Sequence, residues 1–128
     1  MTTPRGDDTP ITDDTQHEYI GRCPHCETAV PTDDPNDLVA FFRRHHRVTG
    51  HQILIEQSAL DLDESVGQDV VDRVRRRQGA FDNGVPIGIV AVEMSAVGVG
   101  IGETLSRIHD QRLTGALYEP VDDHLRAL

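Results

Sequence analysis

Residues 21–56 read GRCPHCETAVPTDDPNDLVAFFRRHHRVTGHQILIE, and their spacing decides the first half of the fold. Cys23 and Cys26 frame a C-x-x-C in which Pro24 shapes a tight turn, aiming both thiolates at one point. From Pro35 to Val48 the apolar period is helical, with Leu38, Phe41, Phe42 and His45 recurring on one face. Asp33 or Asp34 is placed to cap this helix and Gly50 to stop it; His51 follows the stop. The pattern is therefore C-x2-C-x18-H-x5-H, or C-x2-C-x19-H-x4-H through His46. A Cys pair followed by a His pair roughly three to five residues apart suits tetrahedral Zn²⁺. His45 is the better third ligand, because it shares the inward face of Leu38 and Phe41 while His46 lies about 100° further round. The expected metal set is Cys23, Cys26, His45 and His51. Four protein donors close the site, so the zinc is structural. His25 reads as a solvated knuckle residue, and His17 has no common ligand spacing to Cys23.

Two other readings compete. C-P-H-C is also the active-site tetrapeptide of oxidising thioredoxin-like proteins, where it follows a buried strand and opens a long helix. Here Pro31 and Pro35 forbid that helix, and the preceding EYIGR does not read as a central strand. The blander alternative is two reduced cysteines in a loop and histidines on a helix surface. Against it, the segment has few large apolar groups, whereas structural zinc supplies an apparent ~10–16 kcal/mol to such peptides. The HHRVTGH run before strand-like QILIE resembles the tail of ubiquitin-protease-type zinc fingers, where a helix ends H-x-x-x-T-G-H ahead of a strand. That resemblance spans about ten residues, lacks the family's further cysteines, and supports only the histidine assignment.

Beyond an acidic linker at 57–65 the period changes again. Ser65 and Gln68 form a capping box before Val66, Val70, Val71 and Val74, with Arg73, Arg75, Arg76 and Arg77 mostly on the other faces and Gly79 as the stop. Pro86 suits the first position of a second helix reaching Ala96, with Ile87, Val90 and Met94 inward. A third helix from about Gly102 to Leu113 buries Ile101, Leu105 and Ile108, and Gly115 ends it. ALYEP and HLRAL make two short strands. Three helices and a terminal hairpin read as a winged helix-turn-helix. GVGIG at 98–102 is a turn, since it lacks the Lys-Ser/Thr of a phosphate loop. The expected class is α+β: an acidic, disordered 1–16, a small ββα-like zinc finger at 17–56, the linker, and a winged helix-turn-helix at 66–128.

DNGVPI at 82–87 and the ending L-x-x-x-G-x-L-Y-E-P-x-x-x-H-L-R resemble the C-terminal winged-helix domain of archaeal minichromosome-maintenance helicases. The likeness covers Asp82 to Arg126 and excludes the ATPase core, so it implies a regulatory, binding appendage and no ATPase activity.

The 128 residues hold 22 acidic and 12 basic side chains, net −10, and every basic one is Arg. This Lys-free acidity resembles the proteins of salt-in haloarchaea. No apolar run approaches the ~18–20 residues of a membrane span and no signal-peptide pattern opens the chain, so the expectation is a soluble cytoplasmic protein without a membrane partner. Residues 66–79 alone are net positive, at +2. The expected function is a small zinc-containing DNA-binding protein, a transcription- or replication-associated regulator: Thr104, Ser106, Arg107 and Gln111 sit where a recognition helix meets bases, while Arg43, Arg44 and Arg47, with Arg75 and Arg76, offer phosphate contacts. The alternative, favoured by the acidic wing Val121-Asp122-Asp123-His124, is an adaptor that binds a replication or transcription protein without contacting nucleic acid. A homodimer fits the fold. With no paired-carboxylate pocket, no Ser–His–Asp order and a saturated metal site, an enzyme is not expected.

Overall fold

The helix of the first half starts where its sequence says. Asp34 caps it by accepting the Asn36 N–H (2.9 Å), Pro35 occupies the first turn, and Gly50 ends it at φ +76 while donating to the His46 carbonyl (2.7 Å). In the computed structural model, which describes residues 17–58 and 67–128, this helix is α1, Pro35–Thr49. The strands β1 (Tyr19–Cys23), β2 (Thr28–Thr32) and β3 (Leu54–Ser58) form an antiparallel sheet in the order β2-β1-β3. EYIGR thus supplies a central strand after all, although of a three-stranded sheet. Pro31 is tolerated because β2 is an edge. Gly21 lets β1 approach α1: a Cβ there would stand 2.9 Å from Leu38 Cδ2.

The second half runs α2 (Val70–Arg77), a 3-10 turn (Gln78–Ala80), β4 (Val85–Pro86), α3 (Ile87–Ala96), α4 (Ile101–Thr114), β5 (Leu117–Val121) and β6 (His124–Ala127). Its sheet has the order β4-β6-β5. The expected capping box is replaced: Asp69 caps α2 by accepting the Val71 N–H (2.9 Å), and Ser65 and Val66 lie outside the described residues, as does 1–16. Pro86 is the N-cap of α3 rather than its first residue, because Val85 and Pro86 pair with Leu125 and His124 on β6.

The arrangement of α3 was not read from the sequence. Every residue from Ile87 to Met94 is buried, as a helix apolar on all sides must be. It packs against α1 and β3 of the first half and against α2 and α4 of the second. One apolar core consequently runs from Cys23, Phe41, Phe42 and Ile53 to Val71, Val90, Met94, Ile101 and Leu125. The expected boundary between two modules is therefore bridged by packing, and residues 57–58 of the supposed linker belong to β3.

Close backbone contact makes that bridge. A Cβ on Gly88 would lie 2.0 Å from the Pro35 carbonyl oxygen, so only glycine fits where α3 crosses the start of α1. The Asn36 side chain accepts the Gly88 N–H (2.7 Å) and donates to the Asp123 carbonyl (3.2 Å). Arg43 pairs with the Asp123 carboxylate at 3.1 Å, tying the β5–β6 turn to α1.

Candidate metal centre

The two sulfurs and two imidazoles predicted from spacing come together. Cys23 ends β1 and is fully buried, while Cys26 stands exposed in the turn to β2, which the Glu27 N–H closes on the Cys23 carbonyl (3.0 Å). His45 comes from the third turn of α1, its ring against Phe41 at 5.5 Å between centroids. His51 follows the Gly50 reversal. The Thr49 hydroxyl holds both imidazole-bearing segments, donating to the His45 carbonyl (2.8 Å) and accepting the His51 N–H (3.1 Å). Threonine in T-G-H therefore has a mechanical role that its spacing alone did not reveal.

One donor atom from each of Cys23, Cys26, His45 and His51 lies within 4.8 Å of all the others. His51 Nδ1 is 3.6 Å from Cys23 Sγ and 3.3 Å from Cys26 Sγ. Tetrahedral zinc with its usual bond lengths needs S···N edges of about 3.5 Å, so His51 already stands at coordinating separation from both sulfurs. His45 Nε2 is buried without a hydrogen-bond partner, an orphan that a bound cation would satisfy. Both cysteines are free thiols. Desolvation, the hydrogen bond to Cys23 and the charge of Cys23 together push the Cys26 thiol above its ordinary value. Two thiolates here repel until a divalent ion neutralises them. These residues are close enough to bind one metal ion, consistent with structural zinc.

The choice between adjacent histidines is resolved by packing. His46 stacks on Phe42 at 5.0 Å, and its Nδ1 lies 3.2 Å from the His51 carbonyl oxygen, away from the sulfurs. His25 rests against the His51 ring at 4.8 Å, and His17 lies beside Asp33 (3.6 Å).

The residues expected to meet DNA differ in exposure and in pairing. Thr104 is wholly buried, its side chain turned into the core between α4 and its neighbours, and cannot reach a base. Ser106 is exposed. Arg107 bonds Glu103 (3.1 Å) and the Gln68 carbonyl (3.2 Å), and Gln111 lines the same shallow cleft with Asp69 and Asp110. Arg43 is taken by Asp123, whereas Arg44 and Arg47 are exposed and make no ion pair among the described residues. Arg75 reaches Asp72 (3.7 Å) and the Leu128 carbonyl (3.2 Å); Arg76 is exposed. Arg43 thus lies by the turn of the β5–β6 hairpin and Arg75 by its open end. Arg73, read as solvated, is 1% exposed and bonds Glu93 at 3.4 Å; Arg77 also pairs with Glu93. The lone acid within apolar IGIVAVEMSA was the signal for that buried cluster.

Family models match both halves. Residues 20–57 match the HVO_B0008 N-terminal model, and residues 75–125 match the HVO_B0008 C-terminal domain. The likeness to HVO_B0008 is confined to those two segments and leaves residues 67–74 of the second half outside it. The first HVO_B0008 match holds the metal cluster, β2 and α1 and all of β1 and β3 but Tyr19 and Ser58; the second opens inside α2 and closes within β6. Neither match is to a helicase winged helix or to a ubiquitin-protease finger. No curated protein and no solved structure matches the chain. Among the described residues, no helix is long and apolar enough to cross a membrane.

Proposed function

We propose that the chain is a non-enzymatic adaptor, a zinc finger fused to a winged helix-turn-helix, that binds a partner protein of the replication or transcription machinery. The order helix, strand, helix, helix, strand, strand, with sheet order β4-β6-β5, supports the winged-helix reading. The protein-binding reading rests on one observation above others: the arginines of α4 and the one beside the hairpin turn are already neutralised. Arg107 is held by Glu103, Arg112 by Glu119 at 2.9 Å, and the acidic hairpin turn occupies Arg43. Phosphate contacts require cations free to replace counterions. The closed donor set of two cysteines and two histidines leaves no open coordination position for catalysis.

A second reading, DNA binding, draws on Arg44 and Arg47, which are exposed on α1 without ion pairs among the described residues. A cytoplasmic homodimer belongs with it, and light scattering of the purified chain tests that state. Purification in molar KCl with nuclease treatment separates the readings. The adaptor predicts a nuclease-resistant complex with one protein that re-forms from pure components. Duplex binding that weakens with KCl and is lost in Arg44→Ala plus Arg47→Ala would replace it with the DNA reading.

A further inference from the structure

Beside the metal cluster, β2 and the C-terminal half of α1 leave a groove of about 410 Å³, within the usual size of ligand clefts. Phe41, 5% exposed, forms its floor with Val30, while Val48 stands at the lip 78% exposed. The His45 ring forms part of the wall, so the groove borders a metal-ligand residue. Its polar members narrow the chemistry of an occupant. The Thr28 and Thr49 hydroxyls already donate to the Cys26 and His45 carbonyls (3.3 and 2.8 Å). The charged group left is Arg44, which lines the groove and makes no ion pair among the described residues. In a chain of net −10, where Arg22, Arg43, Arg107 and Arg112 are paired with carboxylates, Arg44 keeps its charge beside an apolar floor.

We infer that this groove docks a partner-protein segment presenting an aliphatic side chain next to a carboxylate: the apolar group fills the space over Phe41 and the acid meets Arg44. The inference rests on the adaptor reading and locates its contact. Recognition runs through side chains and not strand addition, because Pro31 removes an N–H from β2, the edge strand. Metal binding supports the groove, since the ion fixes His45 and the knuckle that leads into β2.

The test is an amide correlation spectrum of the metal-loaded chain titrated with a blocked peptide alternating aspartate and leucine. Shifts are expected at Thr28–Val30 and Phe41–Thr49, with binding at least tenfold weaker in Arg44→Gln and in Val48→Ser. Both positions are exposed, so the variants keep the fold, which the same spectra verify. A peptide with serine for leucine should bind at least tenfold more weakly. Equal binding by the serine peptide, displacement of the leucine peptide by duplex DNA, shifts elsewhere, or none at millimolar peptide would each overturn the assignment. A nuclease-resistant protein complex that survives Arg44→Gln and Val48→Ser would remove the groove while leaving the adaptor reading intact.

Discussion

Replacing Cys26 by serine removes one of four donors while leaving the core untouched, since Cys26 is exposed. Structural zinc supplies an apparent ~10–16 kcal/mol to finger peptides, so a single donor of four accounts for about 2.5–4 kcal/mol. Metal affinity should fall by on the order of 100-fold or more. The fold should not be lost with the metal. Leu38, Val39, Phe41 and Phe42 stay buried, and at about 1.5–3 kcal/mol each their burial retains on the order of 6–12 kcal/mol. Competition with a chromophoric chelator measures the affinity, and hydrogen exchange of metal-free protein measures the loss of order. Amides at Cys23–Thr28 and His51 should exchange much faster without metal, while those of Leu38–Phe42 remain protected. His45→Ala should weaken metal binding as Cys26→Ser does, and His46→Ala should not. Equal losses at His45 and His46, or wild-type affinity in Cys26→Ser, would refute the ligand assignment.

Glu93 lies buried between Arg73 and Arg77, so Glu93→Ala removes the carboxylate both share, leaving the buried Arg73 charge only neutral partners such as the Gly67 carbonyl, and should cost about 3–5 kcal/mol in urea unfolding. Gly88→Ala drives a methyl into the Pro35 backbone; helix propensity would favour alanine, yet the melting temperature should drop, and a neutral or stabilising result would mean the two halves are not clamped there. Asn36→Ala deletes two bonds joining α1, α3 and the β5–β6 turn and should cost about 1–3 kcal/mol. Tyr19 is raised above the ordinary tyrosine value, chiefly by desolvation and then by Glu18. Burial favours its neutral form, so this contribution is fully present below the unfolded-state value and is lost as pH rises through the folded one. Tyr19→Phe should flatten the alkaline limb of a stability–pH curve, and an unchanged limb would assign it to other groups.

The metal set was legible because its determinants are local: a turn that brings two cysteines together and a helix period that selects His45. The capped ends of α1, the three later helices and the terminal hairpin were legible for the same reason. What stayed hidden depended on partners distant in sequence. Whether EYIGR becomes a central strand is decided by β3, more than thirty residues later. Four arginines among five residues look like a solvated face until Glu93 draws Arg73 and Arg77 inward. Thr104 has the residue type and the position of a base reader, yet its phase on α4 turns it toward the core. IGIVAVEMSA looked like one amphipathic helix among three, although its apolar character on every side already required neighbours on every side.

That central helix changes what the metal is for. A finger lacking its own core would need the ion to fold, but here α3 supplies the missing apolar partner. The ion's effect is then local and directional. α1 is a rod of about 22 Å, held at its start by Gly88, Asn36 and the Asp123 carbonyl and near its end by His45, Thr49 and His51. Removing metal frees only the second clamp. The exposed part of α1 that carries Arg44, Arg47 and Val48 lies next to that clamp, so metal loss should disorder the partner-facing groove while the shared core survives. A metal-free chain that keeps its melting transition yet no longer binds the aspartate–leucine peptide is the signature of this division. Loss of both together would mean that the finger's fold, and not only its surface, depends on the ion.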